Sequence, residues 1–260
     1  MGRAPRIIEI AEAASTNDEV RVRAAAGEPP PFWVRADRQT AGRGRRGRSW
    51  IGLDGNLFIS GLYRLSASPG EAAQLSFAAA LAVGDVLDGF VDAGRVRFKW
   101  PNDVLLDGAK IAGVLLEVGT APRGIDLVIG VGVNLTGAPA LPHGAAAPST
   151  ALAAALDGAP PPSAADAGRR LVEAFERWRT RWAEEDFAPL RTAWRARAAG
   201  FGERVTVRAG PGAAGDKATG DVAGVFEDLD ADGALVLSTP DGRRRIHSGD
   251  VFFGGHEGVG

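Results

Sequence analysis

The stretch Gly42-Arg43-Gly44-Arg45-Arg46-Gly47-Arg48-Ser49-Trp50 leaves the chain few local structures to choose from. Each glycine costs a helix roughly 1 kcal/mol relative to alanine and opens backbone conformations closed to other residues, so the pattern predicts a loop. Its charge is as restrictive. From Arg35 to Arg48 six arginines face one aspartate, in a 260-residue chain whose net charge is -2. Guanidinium forks and free backbone N–H groups close readily around a phosphate or a carboxylate. A flexible, anion-closing loop is the first expectation.

Other readings of the same residues are narrower. Gly42, Gly44 and Gly47 satisfy the spacing of a dinucleotide fingerprint, which needs a strand before it and a helix after it. Phe32–Ala36 supplies the strand, but the run after Trp50 leads to another strand-like segment, Asn56–Leu62. No Lys-Ser or Lys-Thr follows a glycine cluster, so the nucleotide-binding P-loop is excluded as well. Non-specific nucleic-acid binding and plain solvated surface remain as alternatives.

Along the chain, Arg6–Ala11 reads as a first strand and Thr16 with Glu19 as a capping box opening a helix, which Pro29-Pro30-Pro31 ends. Ser68-Pro69-Gly70-Glu71 starts a second helix with Leu75, Ala79, Ala82 and Val86 on one face. Val96–Trp100 is a strand that turns at Lys99-Trp100-Pro101-Asn102-Asp103, because proline disfavours helix at Trp100. Asp103–Leu106, Lys110–Val118 and Asp126–Asn134 are further strands, the first two joined by the hairpin signal Asp107-Gly108. Leu135–Pro148 is a loop. Ser149–Leu156 predicts a short helix, Ser163–Glu185 a long one bearing Trp178 and Trp182 as core anchors, and Asp186–Ala199 a kinked continuation. From Gly200 short strands at Arg204–Arg208, Ala218–Glu227, Leu235–Ser238 and Arg243–His247, broken by turn signals such as Pro211-Gly212, predict a small barrel. The expected division is therefore residues 1–199 and 200–260, with a frayed end at Gly254–Gly260.

Composition narrows the chemistry. The 30 basic residues include only three lysines, Lys99, Lys110 and Lys217, so a retained lysine raises the question of a site that needs a compact ammonium. With no cysteine there is neither disulfide nor thiolate chemistry, and three scattered histidines argue against a protein-built zinc site. No apolar run reaches the length of a membrane span and no secretory leader is visible, which makes a cytoplasmic location the expectation. Candidate nucleophiles lack a base partner. Electrostatic stabilisation of developing phosphate charge fits better, with Lys110 bridging two anions and Asp103 or Asn134 holding Mg2+. For Lys110 a solvated hairpin residue, for Asp103 a cap and for Asn134 a strand-ending turn are the alternatives. The residues by themselves lead to a nucleotide or acyl-phosphate enzyme.

Five motifs taken in order go further: Ser15-Thr16-Asn17, Gln39 through Trp50, Lys99-Trp100-Pro101-Asn102-Asp103, Lys110 through Glu117, and Gly130-Val131-Gly132-Val133-Asn134-Leu135. The chain resembles the biotin protein ligases over nearly its whole length. The resemblance implies an α+β fold with a mixed central sheet and helices, of the class II aminoacyl-tRNA synthetase and biotin ligase kind, plus a small C-terminal SH3-like barrel. It implies ATP, biotin and Mg2+, formation of biotinyl-5'-AMP, and transfer of biotin to a lysine of a biotin carboxyl carrier domain of acetyl-CoA or pyruvate carboxylase. Ser15, Thr16, Asn17 and Gln39 would meet the ureido ring, Arg43 and Arg45 would close over the adenylate, and Lys110 would touch the carboxylate and α-phosphate. Gly113 would let biotin approach the sheet. Trp50, Asn102, Asp103 and Asn134 would serve the nucleotide and metal, Asp103 as the metal residue, and Gly42, Gly44 and Arg46 would complete the cofactor-binding set.

The Ser-Thr-Asn motif at residue 15 leaves no room for an N-terminal winged helix, so the resemblance is to monofunctional ligases without specific DNA binding. Monomer and homodimer both occur in the family, and nothing in the motifs chooses. One departure stands out: some relatives fold a tryptophan over adenine from the loop after Asn134, whereas residues 135–148 contain no aromatic residue. The nearest alternative is a lipoate or octanoate ligase or transferase of related fold, and a more distant one a nucleic-acid-binding module using the basic loop.

Overall fold

A computed structural model describes residues 5–121, 123–140, 148–209 and 220–253. β1 (Arg6–Ala13), α1 (Thr16–Ala25) and β2 (Phe32–Gln39) form a crossover unit whose strands pair in parallel. β3 (Leu57–Leu65) turns back antiparallel on β2, and α2 (Pro69–Ala73) and α3 (Leu75–Leu87) follow. The Ser68 capping box is present, its side chain accepting from Glu71 N while Glu71 accepts from Ser68 N. β4 (Val96–Lys99), β5 (Asp103–Leu106), β6 (Ala109–Thr120) and β7 (Ile125–Val133) complete a seven-stranded sheet in the order β1-β2-β3-β7-β6-β5-β4. Asp107 and Gly108 take φ of 50° and 79°, as a two-residue hairpin turn demands.

Helices cover the two faces unequally. α3, α4 (Ala164–Glu185) and α5 (Ala188–Ala196) pack on one face, with Trp33, Ile59, Tyr63 and Phe175 in the main core. α3 is buried nearly all round rather than on a single stripe, because it lies between the sheet and the other two helices. α1 covers only part of the opposite face, over Phe32, Val34, Leu62 and Val128. The rest of that face is left open beside it.

The C-terminal strands β8 (Arg204–Ala209), β9 (Asp221–Leu229), β10 (Leu235–Thr239), β11 (Gly242–Ile246) and β12 (Gly249–Phe253) form an antiparallel sheet in the order β11-β10-β9-β8-β12, consistent with the SH3-like expectation. Its Phe226, Leu235 and Val251 belong to the same core as Phe98 and Trp100, so the small sheet is tied to the large one by continuous packing. Trp100 Nε1 donates to Gly233 O at 3.1 Å.

Several expectations need correction. Ser15, not Thr16, is the N-cap of α1, and no side chain of its own caps the helix; Thr16 N donates to Gln39 Oε1 at 2.9 Å, so the cap arrives from β2. Ser149–Leu156 forms only a 3-10 turn, Leu152–Ala155, because Ser149 pairs alongside Lys110 and Thr150 N donates to Lys110 O. The long helix breaks at Asp186, where φ is 60°. β12 follows the last strand read from the sequence. The Pro211-Gly212 turn, the Gly254–Gly260 tail and positions 141–147 of the loop lie outside the described residues.

Candidate active site

The cross-strand registers Lys99↔Asp103, Asp103↔Gly113, Gly113↔Gly132 and Gly132↔Phe58 set these five residues in one row across the sheet, on the open face. Over that row lies a cavity of about 550 Å3, roofed by the arginine loop and closed at one end by β8 and β12. Two glycines in the row make space for a ring: the Trp50 indole lies where side chains at Gly113 and Gly132 would have been. At Gly113 the Trp50 ring edge approaches the sheet, and the glycine also lines the cavity. Lys110 Nζ sits 5.5 Å from the Trp50 ring centroid and 2.7 Å from Asp103 Oδ1.

The polar end of the cavity is built at the start of α1. Gln39 Oε1 accepts from Thr16 N at 2.9 Å, Asn17 Nδ2 donates to Glu117 Oε2 at 2.6 Å, and Ser60 Oγ lies 2.6 Å from both Thr16 Oγ1 and Asn17 Oδ1. A side chain at Gly130 would collide with Asn17, so the glycine of β7 is what lets this helix start descend onto the sheet. Ser15, Thr16, Asn17 and Ser60 are all buried, and buried polar groups of this kind must be satisfied by partners.

The arginine segment is a tight hairpin rather than an open loop. Trp50 N donates to Gly42 O at 2.9 Å, Gly44 N to Arg48 O at 2.6 Å, and Arg45–Gly47 is a 3-10 turn in which Arg46 and Gly47 take φ of 56° and 73°. Its guanidinium groups are held by protein acceptors. Arg43 reaches Asp18 at 2.7 Å and Glu117 at 3.4 Å; Arg45 reaches Asn102 Oδ1 and Gly249 O, both at 3.3 Å. Arg46 and Arg48 pair with Asp250 at 3.3 and 3.0 Å. Burial lowers the tendency of Arg45 to hold its proton.

Most of the residues singled out in the sequence line the cavity: Ser15, Thr16, Asn17, Gln39, Arg43, Gly44, Arg45, Trp50, Asn102, Asp103, Lys110, Gly113 and Asn134. Gly42 and Arg46 do not, Arg46 because its left-handed backbone turns it toward Asp250. Asn134 directs its amide to Thr150 O at 3.0 Å and Ser149 Oγ at 3.3 Å, fastening the strand end to the following segment. Asp103 is committed to Lys110, and no cluster of three metal-ligating side chains occurs among the described residues. A protein-built Mg2+ cage does not fit this donor set.

The sequence reading left out Lys99, Ser60, Glu117, Arg208, Asp250 and Phe252. Lys99 is 3% exposed, 5.6 Å from the Phe253 ring centroid, and burial lowers its pKa. Its retention as one of three lysines was a usable signal; the others carried none, since they arrive from distant strands. Among the described residues lining the cavity, six cations (Arg43, Arg45, Arg48, Lys99, Lys110, Arg208) face two carboxylates (Asp103, Asp250), a surplus of four positive charges.

A polar recess continuous with a cationic trough, on a mixed sheet with an attached antiparallel domain, is the arrangement of a ligase that handles anionic substrates. Residues 15–134 match the biotin/lipoate A/B protein ligase family and residues 200–254 the biotin protein ligase C terminal domain. The chain is 42% identical over 251 residues to the biotin–[acetyl-CoA-carboxylase] ligase of Paracoccus denitrificans, covering 95% of this chain and 100% of that one. It is 35% identical over 248 residues to the ligase of the same description from Mycobacterium tuberculosis, covering 93% and 86%. A biotin protein ligase from Aquifex aeolicus, solved in complex with biotin and ATP, shares the fold with a TM-score of 0.75 at 24% identity, over 95% of this chain and 97% of that one. The chain belongs to the biotin protein ligase family.

Proposed function

We propose that the enzyme activates biotin with ATP and passes it to a lysine of a biotin carboxyl carrier domain, that of acetyl-CoA carboxylase being the first expected acceptor and that of pyruvate carboxylase the second. A biotin carboxylate oxygen attacks the α-phosphorus, the bond to pyrophosphate breaks, and biotinyl-5'-AMP remains. The carrier amine then attacks the acyl carbon, AMP leaves on the carboxyl oxygen, and the amine loses a proton. The observation that carries this reading is the convergence of six cationic side chains on one cavity of a chain whose net charge is -2. Two anions that repel each other in water need such a field to meet.

In this reading Lys110 holds the biotin carboxylate and the α-phosphate together, releasing Asp103, which would then be free to meet a divalent ion carried by the nucleotide. Arg43 and Arg45 exchange their protein carboxylate and carbonyl partners for the adenylate and exclude water from its anhydride. Ser15, Thr16, Asn17 and Gln39 serve the ureido ring, whose polar atoms need partners once buried. Trp50, Asn102 and Gly44 border the nucleotide. Residues 1–199 carry both substrate sites, and residues 200–260 close the phosphate end through Arg208, Asp250 and Phe252. A divalent ion arrives with the nucleotide, as the counter-ion of its phosphates. The reaction belongs in the cytoplasm, where ATP and carrier domains meet; among the described residues no helix is long and apolar enough to cross a membrane.

The test is biotin-dependent ATP–pyrophosphate exchange, followed by transfer of labelled biotin to a carrier domain. Labelled lipoate run in parallel decides between the two acids that the matched family spans. Exchange driven by lipoate and not by biotin would overturn the proposal.

A further inference from the structure

Glu117 stands on β6, where Arg43 reaches it at 3.4 Å, and its other carboxylate contacts are shorter: one oxygen lies 2.6 Å from Asn17 Nδ2 and 2.8 Å from Arg21 Nη2. A carboxylate accepts and cannot donate. The Asn17 amide must therefore present its NH2 to Glu117 and its Oδ1 to Ser60. An amide oxygen has no proton to give, so the Ser60 hydroxyl donates its single proton to Asn17 Oδ1. The 2.6 Å contact between the Ser60 and Thr16 hydroxyls then requires Thr16 to be the donor. With its proton committed there, the 3.2 Å approach of Thr16 Oγ1 to Gln39 Oε1 is not the bond that Thr16 makes, and Gln39 Oε1 is held by the Thr16 backbone N–H instead.

We infer that Glu117 is a positioning residue that sets the direction of the side-chain hydrogen bonds linking Thr16, Ser60 and Asn17 in the biotin-recognising recess. The chain runs from Thr16 through Ser60 and Asn17 to the carboxylate. What it leaves toward the cavity is a lone pair on Thr16 Oγ1 and the second N–H of Asn17. A cyclic urea has the complement, ring N–H donors and a carbonyl acceptor. Without an acceptor at 117 the amide is free to turn over, Ser60 can give its proton to Thr16, and the recess presents donor against donor. The Arg21 and Asn17 hydrogen bonds hold the Glu117 carboxyl below the ordinary range despite its partial burial, which keeps the acceptor charged.

This inference rests on the biotin-ligase reading, and the experiment separates the two. Biotin affinity is measured by calorimetry on the intact enzyme for wild type, Glu117→Gln, Glu117→Leu and Arg21→Gln, with melting temperature as the check on folding. Glu117→Gln still offers Asn17 an acceptor and is expected to bind biotin within about threefold of wild type. Glu117→Leu is expected to lose roughly 10–100-fold, seen as a raised KM for biotin with kcat retained. Arg21→Gln removes the ion pairs of Arg21 with Glu117 and Asp18 but leaves Glu117 to accept from Asn17, and is expected to bind as wild type.

Where Glu117→Leu fails to fold, Asn17→Asp and its combination with Glu117→Gln decide. The single variant sets two carboxylates against each other and is expected to lose binding; the double variant gives the new carboxylate at position 17 an amide donor at position 117 and is expected to recover the part lost to that repulsion, but not the part owed to the second Asn17 N–H. Wild-type affinity in a folded Glu117→Leu, or a double variant no better than Asn17→Asp, would overturn the inference and leave the function standing. No binding of biotin to the wild type would overturn both.

Discussion

Lys110 and Asp103 meet across the β5–β6 hairpin, Nζ to Oδ1, at 2.7 Å, with about a quarter of the lysine and a fifth of the aspartate side chain exposed. The ammonium is thus held in place before any substrate arrives, by a carboxylate that a biotin carboxylate or phosphate can replace. In the proposed reaction, losing Lys110 removes the one group assigned to both anions. Lys110→Ala is expected to keep its melting temperature and to slow pyrophosphate exchange by about 3 kcal/mol or more of transition-state stabilisation, over a hundredfold. Lys110→Arg is not expected to rescue it, because the planar fork does not occupy the place of a compact ammonium.

The arginine hairpin is fastened to the small domain through Asp250, which pairs with both Arg46 and Arg48. Pairs this exposed contribute about 0–1 kcal/mol each. Asp250→Ala is therefore expected to accelerate tryptic cleavage at Arg45–Arg48 by a few-fold, with little change in global unfolding. Unchanged cleavage kinetics would show that the hairpin's own turn holds it.

Gly130 admits Asn17 to the face of β7. Gly130→Ala is expected to push the start of α1 off the sheet, costing about 1–3 kcal/mol. Calorimetry should show weaker biotin binding, and ATP binding should change less because Lys110 and Lys99 are carried by β6 and β4, away from Gly130 on β7.

Glu117 also shapes acid stability. Its burial opposes ionisation, but hydrogen bonds from Arg21 and Asn17 win, and its pKa is lowered from the ordinary glutamate value of 4.5. A depressed native pKa contributes stability that is fully present above 4.5 and is lost as pH falls through the lower, native value. Urea unfolding followed from neutral pH downward should show wild type losing part of its advantage over Glu117→Gln below pH 4.5. A constant difference between the two across that range would refute the contribution.

Residues 135–148 supply no Phe, Trp or Tyr to cover adenine, and the described part of that segment brings Pro139 to the cavity. In the proposed reaction adenine is expected to pack on aliphatic groups there. ATP is expected to bind the free enzyme weakly and more tightly once biotin is present, which calorimetry with and without biotin measures directly. Tight binding of ATP alone would contradict it.

Much of this was legible in the residues because it depends on short-range rules. Glycine among the arginines excluded a helix, Asp107-Gly108 dictated a hairpin, Ser68 and Glu71 made the capping box, and the ordered motifs carried the family. The tertiary structure decided which distant groups complete the site. Thr16 satisfies the N–H of its helix through Gln39 because β2 brings that side chain alongside, and an isolated sequence cannot rank that bond against a local cap. Ser60 and Glu117 reach Asn17 from β3 and β6, and Arg208 and Asp250 reach the phosphate end from β8 and β12. Local pattern fixes which residues of a strand share a face; it does not fix the partner or the register, which are set by the packing of the whole sheet.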